Sequence, residues 1–174
     1  WNCGSLREIY MAAKDDGISL GNNPFAGCNM TTLKLFVPEE HLEFYQNARP
    51  GSIGATMIFP QGEKLGEELV NGFNIGTYIV GHKSDDTYSL ITSNIDHDGE
   101  LVIPESFNGK AITGIYDNAF RNQKFNNVTL KLGDNLKTIG KYAFYQMGGL
   151  VEVDFGSSLE VIDEYAFADC GNLV

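Results

Sequence analysis

The sequence predicts a β-rich solenoid of stacked coils with short helical turns, because one pattern recurs in phase along the chain. Residues 115–120, 139–144 and 162–167 each begin with Ile and end in Ala-Phe. The closing residues Phe120, Phe144 and Phe167 stand 24 and 23 residues apart. A unit of about 23 residues cannot bury its own apolar face, so copies must stack and share a core.

A second pattern between these copies predicts the strands of each coil. Apolar and polar residues alternate there, which is typical of a half-buried strand. The 20 glycines of the 174-residue chain favour many tight turns between short elements. A further copy of the closing pattern lies upstream at residues 20–25, with Pro24 in place of Ala. The clearest strand patterns are Leu6-x-x-Ile9-x-Met11 and Leu150-x-x-Val153-x-Phe155.

The closing pattern resembles the BspA-type leucine-rich repeat of bacterial cell-surface proteins. The best match is Lys137-Thr-Ile-Gly-Lys-Tyr-Ala-Phe144, and a cysteine follows three residues after Phe25 and Phe167, as in that family's repeat. The resemblance covers about residues 1–48 and 85–174. It implies a right-handed leucine-rich repeat solenoid of the α/β class, exported or held on a bacterial surface, that binds host proteins, matrix or other cells.

Three segments are predicted from these patterns. Residues 1–48 form a partial repeat array that ends in a capping helix, and residues 49–74 form a linker with some strand or turn content. Residues 75–174 form a second array, which starts with a capping β-hairpin and is truncated at its C-terminal end. The chain begins with Trp1 rather than Met, so we expect it to be a piece of a longer polypeptide.

The caps are predicted from local signals. Pro38 suits a first helical position and Glu39 and Glu40 suit the positive end of the helix dipole, so a helix is expected through Ala48. Leu42 and Tyr45 would share the face that covers the stack. Residues 63–70 are expected to form a short helix. Alternating residues on both sides of the turn at 84–86 predict the hairpin.

The solvent-facing strand positions are the predicted binding face. Such a face is the part of a solenoid that usually binds. Tyr10 and Phe36 are candidate aromatic anchors, although scattered surface aromatics are also common. The face comprises Arg7, Glu8, Tyr10, Lys34, Phe36, Thr129, Lys131, Glu152 and Asp154.

The charge balance limits the class of partner. Twelve Lys and Arg against 23 Asp and Glu give a net charge of −11. Such a chain is a poor match for nucleic acid or anionic lipid, and it favours a basic partner. No apolar stretch approaches the length of about 20 residues that a membrane-spanning helix needs, so no membrane insertion is expected in this segment.

Metal and catalytic sites have little support in the sequence. His41, His82 and His97 fall in different elements without zinc spacing, and the stretch 96–100 lacks the further acidic ligands of a calcium loop. No carboxylate pair is singled out for glycosidase chemistry, and phosphate-binding loops are missing from the sequence. No cofactor and no catalytic residue is therefore expected.

The three cysteines are interpreted as structural. Cys3, Cys28 and Cys170 occupy the inward slot that follows the Ala-Phe turn, where a small side chain fits. A bridge between Cys3 and Cys28 is geometrically allowed, because they occupy neighbouring coils.

The first hypothesis is a non-enzymatic module for protein binding or adhesion. The alternative is a structural spacer in a larger surface protein, and a carbohydrate-active enzyme is the weakest option because repeat-dictated positions leave few residues for catalysis. An apolar face left open at Val174 also predicts end-to-end association with the Trp1 end.

Overall fold

A computed structural model of the chain describes residues 6, 8–11, 25–29, 33–48, 54, 57–64, 69–70, 73–74, 77–83, 85–94 and 99–174. The chain divides into two compact units, Trp1–Gln61 and Gly62–Val174. Each unit has a hydrophobic core of its own.

The first unit is built on a parallel sheet. In its described part, the strands are β1 (Glu8–Tyr10), β2 (Lys34–Val37) and β3 (Ile58–Pro60), in that spatial order. The register places Phe36 beside both Tyr10 and Phe59. Because side chains alternate between the two faces of a strand, Leu35 and Ile58 lie on the other face, in the core of the unit.

The predicted capping helix is present. A 3₁₀ turn at Glu39–His41 follows Pro38 and leads into helix α1 (Leu42–Ala48). Tyr45 is 1% exposed, and Leu42 packs against the same core. The side-chain amide of Gln46 donates a hydrogen bond of 3.2 Å to the carbonyl oxygen of Ile58, which ties the helix to β3.

Strand β3 lies inside residues 49–74, the stretch expected to be a linker. Ile58 and Phe59 are each 2% exposed, and the strand extends the first sheet by pairing with β2. The first unit therefore includes this strand, and the boundary between the units falls after Gln61. Val37-Pro38 and Phe59-Pro60 show the same strand ending, a signal for a further coil that the sequence analysis did not use.

The short helix predicted at residues 63–70 is wrong for the described part of that stretch. Strands β4 (Glu63–Lys64) and β5 (Leu69–Val70) lie there instead. Strand β4 pairs antiparallel with the first strand of the hairpin. Strand β5 pairs antiparallel with β6 (Phe73–Asn74). Pairing with an adjacent strand overrides a weak helical pattern in so short a segment.

The predicted β-hairpin opens the array of the second unit. Strands β7 (Thr77–His82) and β8 (Tyr88–Asn94) pair antiparallel. The connecting turn includes Asp86, whose φ of 64° lies in the left-handed region that Asp tolerates. Leu90 of β8 is fully buried and joins the core of the coils.

The coils that follow contribute strands to two sheets. The strands are β9 (Glu100–Val102), β10 (Ser106–Phe107), β11 (Lys110–Ile115), β12 (Val128–Lys131), β13 (Thr138–Ile139), β14 (Leu150–Asp154) and β15 (Val161–Ile162). One sheet continues from β8 through the parallel strands β11, β13 and β15, and β10 pairs antiparallel with β11. The other is a separate parallel sheet in the order β14-β12-β9.

The phenylalanines of the repeat form one column in the core, as predicted. The ring centroids of Phe120 and Phe144 are 4.9 Å apart, and those of Phe144 and Phe167 are 5.0 Å apart, with interplanar angles of 9° at both steps. The backbone follows the same spacing, since the Phe144 N–H donates to the carbonyl oxygen of Ala166 at 2.8 Å. Ala143 is fully buried between coils, where a larger side chain would not fit.

The tight turns repeat their backbone conformation from coil to coil. Asn118, Tyr142 and Tyr165 have φ values of 62°, 56° and 58°. A left-handed conformation costs a tyrosine about 1–2 kcal/mol, but the N–H of Tyr142 donates to the carbonyl oxygen of Glu164 in the next coil. The repeated conformation places Tyr142 and Tyr165 directly beside each other.

Two further features concern surfaces of the described residues. In the last coil, Val161 and Ile162 are 50% and 48% exposed. No helix among the described residues has the length and apolar character to cross a membrane.

Candidate binding surfaces

Four predicted binding residues lie together on the sheet of β9, β12 and β14. The register aligns Thr129 with Glu152 and Lys131 with Asp154 across β12 and β14. Glu100 of β9 pairs with Thr129 on the other side. Lys131, Glu152 and Asp154 are exposed and Thr129 is half-buried, whereas Leu130 between them is fully buried. We call Glu100, Thr129, Lys131, Glu152 and Asp154 the acidic sheet face.

Carboxylates dominate the acidic sheet face. The Lys131 ammonium makes an ion pair of 2.6 Å with Glu100. The hydrogen bond to Glu100, its charge and the more distant charges of Asp154 and Glu152 raise the pKa of Lys131. Asp154 also accepts a hydrogen bond from the N–H of Gly156, which holds its carboxylate in place. Three carboxylates surround one ammonium, so the face keeps a negative charge at neutral pH.

The predicted residues of the first unit form a separate group on β1 and β2. The ring of Tyr10 stacks on that of Phe36, with centroids 4.6 Å apart, and its hydroxyl donates a 3.3 Å hydrogen bond to Glu8. Tyr10 is 42% exposed. Burial, and then the Glu8 carboxylate, raise the pKa of Tyr10 above its ordinary value.

Phe36 does not have the exposure that was predicted. It is fully buried, because its ring lies between those of Tyr10 and Phe59 on neighbouring strands. It cannot contact a partner directly and instead supports Tyr10. Lys34 is half-buried on the same strand, and burial lowers its pKa to about 8 although the Glu8 charge opposes that shift. Arg7 lies outside the described residues.

A cluster of cationic and aromatic side chains on the tight turns was missed by the sequence analysis. The Arg121 guanidinium lies 4.7 Å from the ring centroid of Tyr142 and 4.5 Å from that of Tyr145. These two rings are almost perpendicular, so the guanidinium occupies the corner between them. Tyr142 also stacks on Tyr165 at 5.1 Å. The available signal was the Tyr-Ala-Phe triplet, repeated 23 residues apart.

Some of the groups considered for metal or catalytic chemistry lie outside the described residues. These are Cys3 and residues 96–98 of the acidic loop, which include His97. Within the described ranges, no three His, Cys, Asp or Glu side chains are grouped to hold a metal ion.

The cysteines that the structure describes are in different states. Cys28 is disulfide-bonded. Cys170 is a free thiol that donates a hydrogen bond of 3.2 Å to the carbonyl oxygen of Phe144. Burial raises the pKa of Cys170, which lowers the thiolate fraction and disfavours a role as a nucleophile.

The fold is that of a leucine-rich repeat solenoid. Comparison with known proteins identifies the repeat family and the solved structures that it resembles. Residues 103–174 match the family described as "BspA type Leucine rich repeat region", in six copies. This part of the chain is similar to that family, as the repeat pattern predicted. No curated protein matches the chain.

Two solved structures share the fold. A leucine rich repeat protein of T. pallidum is 21% identical, with a TM-score of 0.50, over 55% of this chain and 44% of that one. A leucine rich cell surface protein of Faecalibacterium prausnitzii A2-165 is 19% identical, with a TM-score of 0.51, over 97% of this chain and 35% of that one. The chain therefore spans less than half the length of either protein.

Proposed function

We propose that this chain is a non-enzymatic protein-binding module that engages a basic segment of a partner through the acidic sheet face. The observation that supports the proposal is the exposure of Lys131, Glu152 and Asp154 on adjacent strands, with a surplus of carboxylates. A rigid parallel sheet presents these side chains without reorganisation, which lowers the entropic cost of binding.

The net charge of −11 supports the same class of partner. Long-range attraction would accelerate encounter with a basic protein and would weaken as salt rises, since the Debye length falls to about 8 Å at 0.15 M ionic strength.

A secreted or cell-surface location, with a role in adhesion, is also part of the proposal. Disulfides persist mainly in oxidising compartments outside the cytosol, and Cys28 is disulfide-bonded. The F. prausnitzii protein that shares the fold is a cell surface protein, which supports the same location. Labelling intact producing cells with an antibody against this segment tests the location. Signal before permeabilisation supports it, and signal only afterwards contradicts it.

Binding is tested with a fluorescent ten-residue peptide rich in Lys and Arg, compared with a peptide in which Glu replaces every Lys and Arg. Fluorescence anisotropy should detect binding of the basic peptide alone, and its affinity should fall as salt increases. The double substitution E152Q/D154N should weaken binding about tenfold or more. Asn at 154 keeps an acceptor for Gly156, so the strand should stay intact.

The control is E160Q/E164Q, which removes two exposed carboxylates that lie in ion pairs outside the acidic sheet face. This control should bind the basic peptide as the natural chain does. Equal losses in the two double variants would contradict a specific role for the acidic sheet face. They would show that the overall charge of the chain alone attracts the basic peptide.

The predicted end-to-end association stays a prediction, because Trp1 lies outside the described residues.

A further inference from the structure

The turn between β10 and β11 consists of an Asn-Gly pair. Phe107 of β10 pairs with Lys110 of β11, so Asn108 and Gly109 form the whole connection of the hairpin. Their φ values are 48° and 77°, the positive values that a type I′ turn requires at both central residues. Asn and Gly tolerate this conformation better than other residues do, so the turn explains why this pair stands here.

The same pair places a nucleophile beside an electrophile. The backbone nitrogen of a glycine that follows asparagine can attack the side-chain amide carbon and close a five-membered ring. Asn108 and Gly109 are both exposed. The hydrogen bond of a β-turn uses the N–H of its fourth residue, here Lys110. Within the described ranges, neither the side-chain amide of Asn108 nor the N–H of Gly109 takes part in a hydrogen bond, so neither reacting group is protected.

The space around Gly109 also favours the attack. Glycine has no side chain to shield its nitrogen, and a Cβ atom built on Gly109 would have no atom beyond its chain neighbours within 4 Å. The arm is held to β11 by two residue pairs, Ser106 with Ala111 and Phe107 with Lys110. So short a pairing, exposed at its tip, opens at low cost. The Gly109 nitrogen can therefore approach the side-chain carbon of Asn108.

Asn127 has a similar conformation but a different neighbour. It is exposed and its φ is 55°. The next residue, Val128, is buried and β-branched, and its N–H donates to the carbonyl oxygen of Gly149 at 2.7 Å. The nitrogen beside Asn127 is thus both shielded and engaged, which makes Asn127 an internal control.

We propose that Asn108 is a site of spontaneous deamidation through a cyclic imide formed with Gly109. The Gly109 nitrogen bonds to the side-chain carbon of Asn108 and the C–N bond of the side-chain amide breaks. The leaving nitrogen takes up the proton of Gly109 and departs as ammonia. Water then opens the ring at either carbonyl, which gives Asp or isoaspartate at position 108. Water is the only other reactant.

The two products differ in their effect on the hairpin. Asp only adds a carboxylate, whereas isoaspartate lengthens the backbone between Phe107 and Lys110 by one atom. The ring of Phe107 makes an edge contact with that of Tyr88, with centroids 5.1 Å apart, and packs against the core of the coils. Isoaspartate should therefore disturb the pairing of β10 with β11, while Asp should leave it in place.

The test is incubation of the purified natural chain at about 37 °C for several weeks, followed by digestion and tandem mass spectrometry. The peptide that contains Asn108 should gain the mass difference between a hydroxyl and an amino group, with isoaspartate among the products. The peptide that contains Asn127 should stay unchanged. The rate at Asn108 should rise with pH, because the attacking nitrogen must lose its proton. The other Asn-Gly pair of the sequence, at 71–72, lies outside the described residues and falls in a different tryptic peptide.

Two variants separate the chemistry from its consequence. G109A has room for its Cβ atom and should slow the reaction at Asn108 at least tenfold. N108D carries the charge without the extra backbone atom, so its amides at Phe107 and Lys110 should exchange hydrogen as slowly as those of the fresh natural chain. The isoaspartate form should exchange faster at both positions.

The outcomes that would overturn the proposal are specific. An unchanged Asn108 peptide after the incubation, or equal rates at Asn108 and Asn127, would contradict the reaction. Equal rates in the natural chain and G109A would contradict attack by the Gly109 nitrogen. Should G109A fail to fold, the comparison of Asn108 with Asn127 in the natural chain still decides.

Discussion

Gly149 lies against the backbone of Phe125 in the preceding coil. A Cβ atom on Gly149 would be 1.8 Å from the carbonyl oxygen of Phe125 and 2.4 Å from its carbon. The carbonyl oxygen of Gly149 in turn accepts a 2.7 Å hydrogen bond from the N–H of Val128. The coils therefore approach more closely here than any side chain allows.

Replacement of Gly149 should consequently break the contact between coils. We expect G149A to lower the free energy of unfolding by about 3 kcal/mol or more, because the clash is with backbone that cannot rotate away. Gly148 provides a matched control, since no atom lies within 4 Å of its Cβ position. Urea denaturation should give G148A a midpoint close to that of the natural chain. Equal midpoints for G149A and G148A would show that the coils do not meet at Gly149.

Arg121 should stabilise the turns through its two aromatic contacts. Each cation–π contact contributes about 0.5–1 kcal/mol at an exposed site, so R121Q should lower the free energy of unfolding by about 1–2 kcal/mol. K124Q removes the same charge from an exposed residue three positions after Arg121. It should have little effect on the free energy of unfolding. A double-mutant cycle of R121Q with Y145L measures one contact directly, and a coupling energy near zero would contradict the corner geometry.

Lys34 should make the stability of the first unit depend on pH. Its pKa falls from 10.5 in the unfolded chain to about 8 in the folded one. Between these values the unfolded state binds more protons, so stability should rise as pH increases from about 8 to 10. Below pH 8 both states hold the proton and this contribution no longer changes.

Denaturation midpoints measured between pH 7 and 9.5 should show this rise, and K34M should flatten it. The upper limit avoids Tyr10, whose raised pKa has the opposite effect: above its ordinary value the unfolded tyrosine loses its proton first, so stability falls. A rise of the same size in K34M would show that a titratable group other than Lys34 causes the pH dependence.

The repeat period accounts for most of what could be predicted from sequence. Phe120 and Phe144 were expected in one column because they recur in phase, and the register of Thr129 with Glu152 follows from the same period combined with strand alternation. Phe36 shows the limit of that reasoning. Alternation placed it on the face away from the core, which is correct. Its burial depends on Phe59, which was expected in a linker with some strand or turn content and not in a strand of the first sheet.

The features that sequence reasoning missed depend on side chains meeting across long separations. Lys83 reaches Thr113 over 30 residues, and Arg121 meets Tyr142 and Tyr145 from the preceding coil. A repeat pattern predicts which residues align, but not which of the variable positions hold complementary groups.

The central claim is that the coils stack in register, with the repeat phenylalanines in one column. NMR of the chain with protons only on its phenylalanine rings tests it most directly. The account predicts nuclear Overhauser contacts between Phe120 and Phe144 and between Phe144 and Phe167, with centroid distances of 4.9 and 5.0 Å. Absence of both contacts in the folded chain would contradict the stack.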